Sequence, residues 1–137
     1  MSRLYGNKED INSEKVKDFF NKRANKDVES EFAIVLFQDK ENSEQRHQEE
    51  KNIFYENIDV SGKSVLEIGC GVGRWVEALH DKCGSYLGLD FSEELLEIAK
   101  NSYKEYDNCK FQLMSARNIF EELNDFSETG YMYYVIE

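Results

Sequence analysis

One stretch constrains this chain more than any other. Ser64-Val65-Leu66-Glu67-Ile68 is a short apolar strand that runs directly into Gly69-Cys70-Gly71-Val72-Gly73, a turn in which every second residue is glycine. Glycine lets the backbone turn sharply and approach a ligand with no Cβ in the way. Arg74 to Asp81 then reads as a helix with Val76, Leu79 and His80 on one face. A strand that feeds a turn and then a helix delivers that turn to the carboxyl edge of a parallel sheet, where α/β proteins bind ligands. The first free N–H groups of the helix would face an anionic group there, a pyrophosphate or a carboxylate.

The segments that follow repeat the alternation. Ser85 to Leu89 is a second strand ending at Asp90, and Ser92 can cap a helix whose buried stripe is Leu95, Leu96 and Ala99. Lys110 to Met114 reads as a third strand, Ala116 to Leu123 as a helix and Tyr131 to Ile136 as a fourth strand. Strands alternating with helices predict an α/β fold with a doubly wound, mostly parallel sheet. Such sheets usually continue past a fourth strand, whereas Glu137 is the last residue here. The expectation is a sheet truncated after its fourth strand, with a complete four-stranded domain as the alternative. An open edge of that kind invites a homodimer or a partner chain that completes the sheet.

Residues 1–55 read as an N-terminal helical cap or extension, and residues 56–137 as the ligand-binding domain. Lys15 to Ala24 places Val16, Phe19, Phe20 and Arg23 at helical spacing. The apolar run within Glu31 to Phe37 is too short for periodicity to separate helix from strand. Asp39 to Asn52 is almost wholly polar and reads as a solvated helix or a mobile connection, with His47 as a surface imidazole.

The formal net charge of −11 repels polyanions and anionic membrane surfaces. The basic cluster from Lys15 to Lys26 is diluted by Glu14, Asp18 and Asp27, so neither nucleic acid nor membrane is an expected partner. Cys70, Cys83 and Cys109 are an odd set without metal-ligand spacing, and no metal site is expected. The N-terminus lacks the apolar core of a signal peptide, and no apolar run approaches the roughly 20 residues of a spanning helix. A cytoplasmic protein is expected.

Two elements narrow the ligand. Asp90 ends the second strand, where a carboxylate can accept hydrogen bonds from both hydroxyls of a ribose. The glycine spacing then separates cofactors, because the dinucleotide fingerprint G-x-G-x-x-G needs glycine at position 74. That residue is Arg74, and the pattern present is G-x-G-x-G at 69, 71 and 73.

Val65 to Gly73 resembles the first signature motif of class I (Rossmann-like) S-adenosylmethionine-dependent methyltransferases, with Glu67 as its acidic lead. Leu87-Gly88-Leu89-Asp90-Phe91-Ser92 resembles the family's second motif, and Phe111 to Ala116 its third. The resemblance implies a Rossmann-like sheet of the methyltransferase type and S-adenosyl-L-methionine as cofactor. It implies that Gly69, Cys70, Gly71 and Gly73 approach the methionine moiety and that Asp90 binds ribose. Phe91 would pack on adenine, Ser115 and Ala116 would border its edge, and Glu67 and Glu137 would face the methionine ammonium. Ser115 departs from the aspartate many relatives carry there.

The activity implied is methyl transfer to a small-molecule acceptor. Phe19, Phe20, Arg23 and Ala24 resemble cap helices of sugar and surface-polysaccharide tailoring enzymes. A non-catalytic cofactor-binding module that needs a partner chain, or an NAD-dependent oxidoreductase, are the alternatives. No catalytic base is assigned, since displacement at a sulfonium methyl needs one only if the acceptor must lose a proton. Asp90→Ala is expected to cost roughly 1.5–3 kcal/mol of cofactor binding and to change folding far less.

Overall fold

The computed structural model describes residues 12–26, 30–36, 39–114 and, for the backbone, 131–135. Four parallel strands, β1 (Ser64–Ile68), β2 (Ser85–Asp90), β3 (Cys109–Leu113) and β4 (Tyr131–Val135), form one sheet in the order β3-β2-β1-β4. The chain therefore steps outward from β1 to β3 and returns to the far side of β1 with β4. That reversal marks the switch point at which open α/β sheets bind ligands. Register pairs Ile68 with Leu89, so β1 and β2 end side by side and Gly69 leaves the sheet beside Asp90, the last residue of β2.

Side chains alternate across the pleat. Val65 and Tyr86 join one face, where they pack with Phe54, Val60, Trp75, Val76, Ala78 and Leu79. Leu66 and Leu89 belong to the other face, with Ile68, Leu87 and Met114 against them. The first cluster anchors α3 (Lys40–Asn57) and α4 (Arg74–Leu79) to the sheet. Each large side chain buried this fully contributes about 1.5–3 kcal/mol.

α5 (Glu93–Ser102) begins where Ser92 accepts the Leu95 N–H on its hydroxyl, and it buries the expected Leu95, Leu96 and Ala99. α4 is shorter than its sequence pattern, because His80 already caps it and stacks on Tyr106 at 4.0 Å between ring centroids.

Upstream, α1 (Ser13–Ala24) starts at Asn12, whose side chain accepts the Lys15 N–H. The ambiguous apolar run is a helix, α2 (Glu31–Leu36), burying Ala33 and Ile34. The polar stretch after it is no loose connection. It is α3, capped by Asp39 and carrying exposed i,i+4 pairs such as Gln45–Glu49 and Arg46–Glu50. α3 continues to Asn57, across the boundary at residue 55 that composition suggests.

His47 is 4 % exposed, not on the surface as the polar run implied. Its Nε2–H donates to Glu77 at 2.7 Å while Nδ1 accepts from Arg74 at 3.3 Å, which fixes the neutral tautomer. Burial holds its pKa below the ordinary histidine value. Ser43, His47 and Phe54 form a buried stripe that a reading of polarity alone passes over.

The helix expected over Ala116 to Leu123 lies outside the described residues. No helix among the described residues is long and apolar enough to cross a membrane.

Candidate functional site

The glycine-rich turn is a backbone structure that side chains would break. Gly69, Gly71 and Gly73 have φ of 79°, 54° and 81°, the left-handed region that L residues enter at a cost of roughly 1–2 kcal/mol. The Gly69 and Cys70 N–H groups both donate to the Leu89 carbonyl, at 2.7 and 3.0 Å, tying the turn to the end of β2. At Gly73 a Cβ would lie 2.9 Å from Cε2 of Tyr103, and at Gly71 it would lie 3.1 Å from Cγ1 of Val35. So α5's end closes one side of the turn and α2 lies against the other. The sequence shows the turn but not these neighbours, which reach it through tertiary packing.

Asp90 stands opposite, 6 % exposed. Its Oδ2 accepts the Gly71 N–H at 2.8 Å and its Oδ1 accepts the Ser92 N–H at 2.9 Å. Burial pushes its pKa above the usual carboxylate value, against the pull of those N–H donors. These bonds run against the expectation that Asp90→Ala changes folding far less than binding, since Asp90 holds the turn and the start of α5 in place. Each oxygen keeps a second lone pair for a hydroxyl donor.

Glu67 is 1 % exposed on β1. Its Oε2 accepts the Tyr86 hydroxyl, whereas its Oε1 is buried without a partner. Burial pushes the Glu67 carboxyl up to about 8, and the Tyr86 hydrogen bond and the charge of Arg74 only partly oppose this. Burial likewise pushes the Cys70 thiol up, so Cys70 packs and is not poised as a nucleophile.

Phe91 follows Asp90 and meets the edge of Phe20 from α1 at 6.4 Å between centroids. Arg23 of α1 donates to the Ile34 and Ala33 carbonyls at 2.7 and 2.9 Å, joining α1 to α2 beside the turn. α4 is six residues long, a short stack of peptide dipoles, so the helix-end field at Gly73 is weaker than the sequence suggested.

The structure thus brings together Glu67, Gly69, Cys70, Gly71, Gly73, Asp90 and Phe91 at the carboxyl ends of β1 and β2. Ser115, Ala116 and Glu137 lie outside the described residues. Sequence reasoning missed Val35, Tyr86 and Tyr103. Val35 and Tyr86 lie in apolar segments, which signal core without saying what they will touch, whereas Tyr103 stands between Ser102 and Lys104 and carries no local signal.

Residues 65–130 match the model of a methyltransferase domain. The demethylmenaquinone methyltransferase of Lactococcus lactis is 36 % identical over 98 residues, covering 69 % of this chain and 36 % of that protein. Residues 65–130 thus carry a methyltransferase domain, and the chain is similar there to class I S-adenosylmethionine-dependent methyltransferases. It spans about a third of the length of that curated relative.

Two solved structures share the fold of this chain. Phosphoethanolamine N-methyltransferase 1 of Haemonchus contortus, in complex with phosphoethanolamine and S-adenosylhomocysteine, superposes with a TM-score of 0.65 at 18 % identity, over 85 % of this chain and 24 % of that one. Magnesium protoporphyrin IX methyltransferase of Synechocystis, with bound S-adenosylmethionine, gives 0.57 at 20 % identity, over 80 % and 57 %. The residues at the carboxyl ends of β1 and β2 also fit such a cofactor. They offer a Cβ-free turn, a carboxylate with spare lone pairs, and a buried carboxyl oxygen without a partner, a set of acceptors suited to the hydroxyls and ammonium of an amino-acid-bearing nucleoside.

Proposed function

We propose that this chain binds S-adenosyl-L-methionine as the cofactor-holding part of a methyltransferase acting on a small-molecule acceptor. The observation that carries the reading is the placement of three left-handed glycines against the Asp90 carboxylate at the carboxyl edge of β1 and β2. In this reading Asp90 accepts the ribose hydroxyls, and Gly69 and Gly71 give the methionine moiety room along the backbone. Phe91 supports adenine. Ser115 and Ala116 border the adenine edge, and Glu67 and Glu137 serve the ammonium. When bound, the cofactor supplies an electrophilic methyl together with its own leaving group. The chain's residues then bind, orient and exclude water.

Arg74 supports this choice over a nicotinamide cofactor. The third glycine of the dinucleotide fingerprint allows close helix–strand packing, whereas the Arg74 side chain is buried and donates to Glu50 at 2.6 Å. The net charge of −11 favours a small acceptor over a nucleic acid. A sugar or surface-polysaccharide precursor is the acceptor the N-terminal cap favours, and quinone, phosphoethanolamine and porphyrin acceptors belong in the same assay. The odd number of cysteines, all unpaired, fits a cytoplasmic protein.

Thermal melts test the cofactor. S-adenosylhomocysteine at about a hundred times its dissociation constant should stabilise the protein by roughly 2.7 kcal/mol, and NADH should leave the melt unchanged. Stabilisation by NADH alone would end this reading. Methyl transfer measured beside binding separates an enzyme from a binding module.

A further inference from the structure

Tyr86 precedes the Leu87–Ser92 motif and lies at the second residue of β2, paired in register with Val65. It is 2 % exposed, and its hydroxyl donates to Oε2 of Glu67, one pleat nearer the glycine turn. The reach is possible because Gly88 stands between them. A Cβ at Gly88 would lie 3.0 Å from Cε1 of Tyr86 and 2.8 Å from Sγ of Cys70. Gly88 thus leaves the channel along which the tyrosine ring lies, and Cys70 closes its upper end. The outcome is a carboxyl held at one oxygen and left without a partner at the other. A buried polar atom without a partner is unfavourable, so a site that retains one is set up for a partner that arrives later.

We infer that Tyr86 is a positioning residue. Through its hydroxyl, and through the space Gly88 leaves for its ring, it holds the Glu67 carboxyl turned so that Oε1 is kept for the cationic amino end of a ligand seated on the glycine turn. This rests on the cofactor reading above. The groups that act on Glu67 are Tyr86 and Asp90 from β2 and Arg74 from α4, while Cys70 of the turn and Tyr103 after α5 are themselves raised by the Glu67 charge; its register partner on β4 is Tyr134. Burial keeps Glu67 protonated up to about pH 8. An ammonium that donates to Oε1 favours the carboxylate, so the Glu67 proton leaves to solvent as the ligand binds.

Two ligands and two variants test this. S-adenosylhomocysteine carries the ammonium, and 5′-methylthioadenosine keeps the nucleoside without it. In the unmodified protein, affinity for S-adenosylhomocysteine should rise up to about tenfold per pH unit from about pH 6 and level off near pH 8. Titration calorimetry in buffers of different ionisation enthalpy should show release approaching one proton at about pH 7. Methylthioadenosine should show neither effect. Tyr86→Phe removes a bond that favours the carboxylate, so the levelling should move above pH 8, with binding of methylthioadenosine unchanged. Glu67→Gln should abolish the pH dependence.

If Tyr86→Phe weakens both ligands alike at every pH, or the unmodified protein releases no proton, the inference is overturned while the cofactor reading stands. If neither ligand binds, the cofactor reading fails and takes the inference with it. The proton-release measurement and Glu67→Gln decide the matter even if Tyr86→Phe does not fold.

Discussion

Each oxygen of the Asp90 carboxylate already accepts a backbone N–H, one from Ser92 and one from Gly71. Removing it leaves two buried donors without partners, at roughly 1–3 kcal/mol each. Asp90→Ala should therefore lower the melting temperature markedly in the absence of any ligand, as well as weaken cofactor binding. Melts of the ligand-free variant that superimpose on the parent would contradict the structural half of this. Glu67 carries a pH signature of its own. Its folded pKa of about 8 lies above the usual glutamate value of 4.5, so the native state holds a proton that the unfolded chain gives up. The stability this lends is present below about 4.5 and is lost as pH rises towards 8. Glu67→Gln keeps a neutral side chain of the same shape and removes that slope. The variant's advantage over the parent should grow from near zero below about pH 4 to roughly 3 kcal/mol near neutrality, read by chemical denaturation at several pH values. Among single residues, Asp90 and the three glycines were legible in the sequence because a turn demands particular backbone angles at fixed spacing. The duties of Tyr86 and His47 were not, since their partners lie on other elements, Glu67 and Glu77.

The strands, α4 and α5 follow from apolar alternation and from the Ser92 cap, which are local signals. α2 and α3 do not. Six residues of apolar run cannot display a helical period, and α2 becomes a helix because Ala33 and Ile34 are buried and its chain end is held. Arg23 supplies that hold through two charge-assisted bonds to the Ala33 and Ile34 carbonyls. α3 shows almost no apolar stripe because its buried face uses Ser43 and His47 in place of aliphatic residues. Arg23→Ala should release α2 without unfolding the sheet. Bonds of this kind contribute roughly 1.5–3 kcal/mol, so amide exchange over residues 31–36 should quicken by about ten- to a hundredfold. Exchange over Ser64–Ile68 should hold steady. Quickening of both segments together would show that α2 is integral to the fold's cooperative unit.

At the scale of the whole molecule, charge decides. The chain has 28 acidic and 17 basic side chains, for a net charge of −11. Ion pairs do form, among them Lys17–Glu93 at 3.4 Å, Lys51–Glu77 at 3.1 Å and Lys82–Asp81 at 3.0 Å. Exposed pairs of this kind are worth about 0–1 kcal/mol each, and the excess acids repel one another over the entire surface. The two effects respond differently to salt. At about 10 mM salt the screening length is near 30 Å, so repulsion spans a domain of this size, whereas at about 0.15 M it is near 8 Å and only neighbours interact. Adding sodium chloride should therefore remove more repulsion than attraction. The Arg74–Glu50 pair, with Arg74 4 % exposed, is shielded from the change because buried charges are screened least. We expect the melting temperature to rise by a few degrees between about 10 mM and 0.3 M sodium chloride, a stabilisation of roughly 1 kcal/mol. Chloride is the right anion for the test, since sulfate would also raise stability by exclusion from the surface. A melting temperature that falls with salt would mean that the few specific pairs outweigh the net charge.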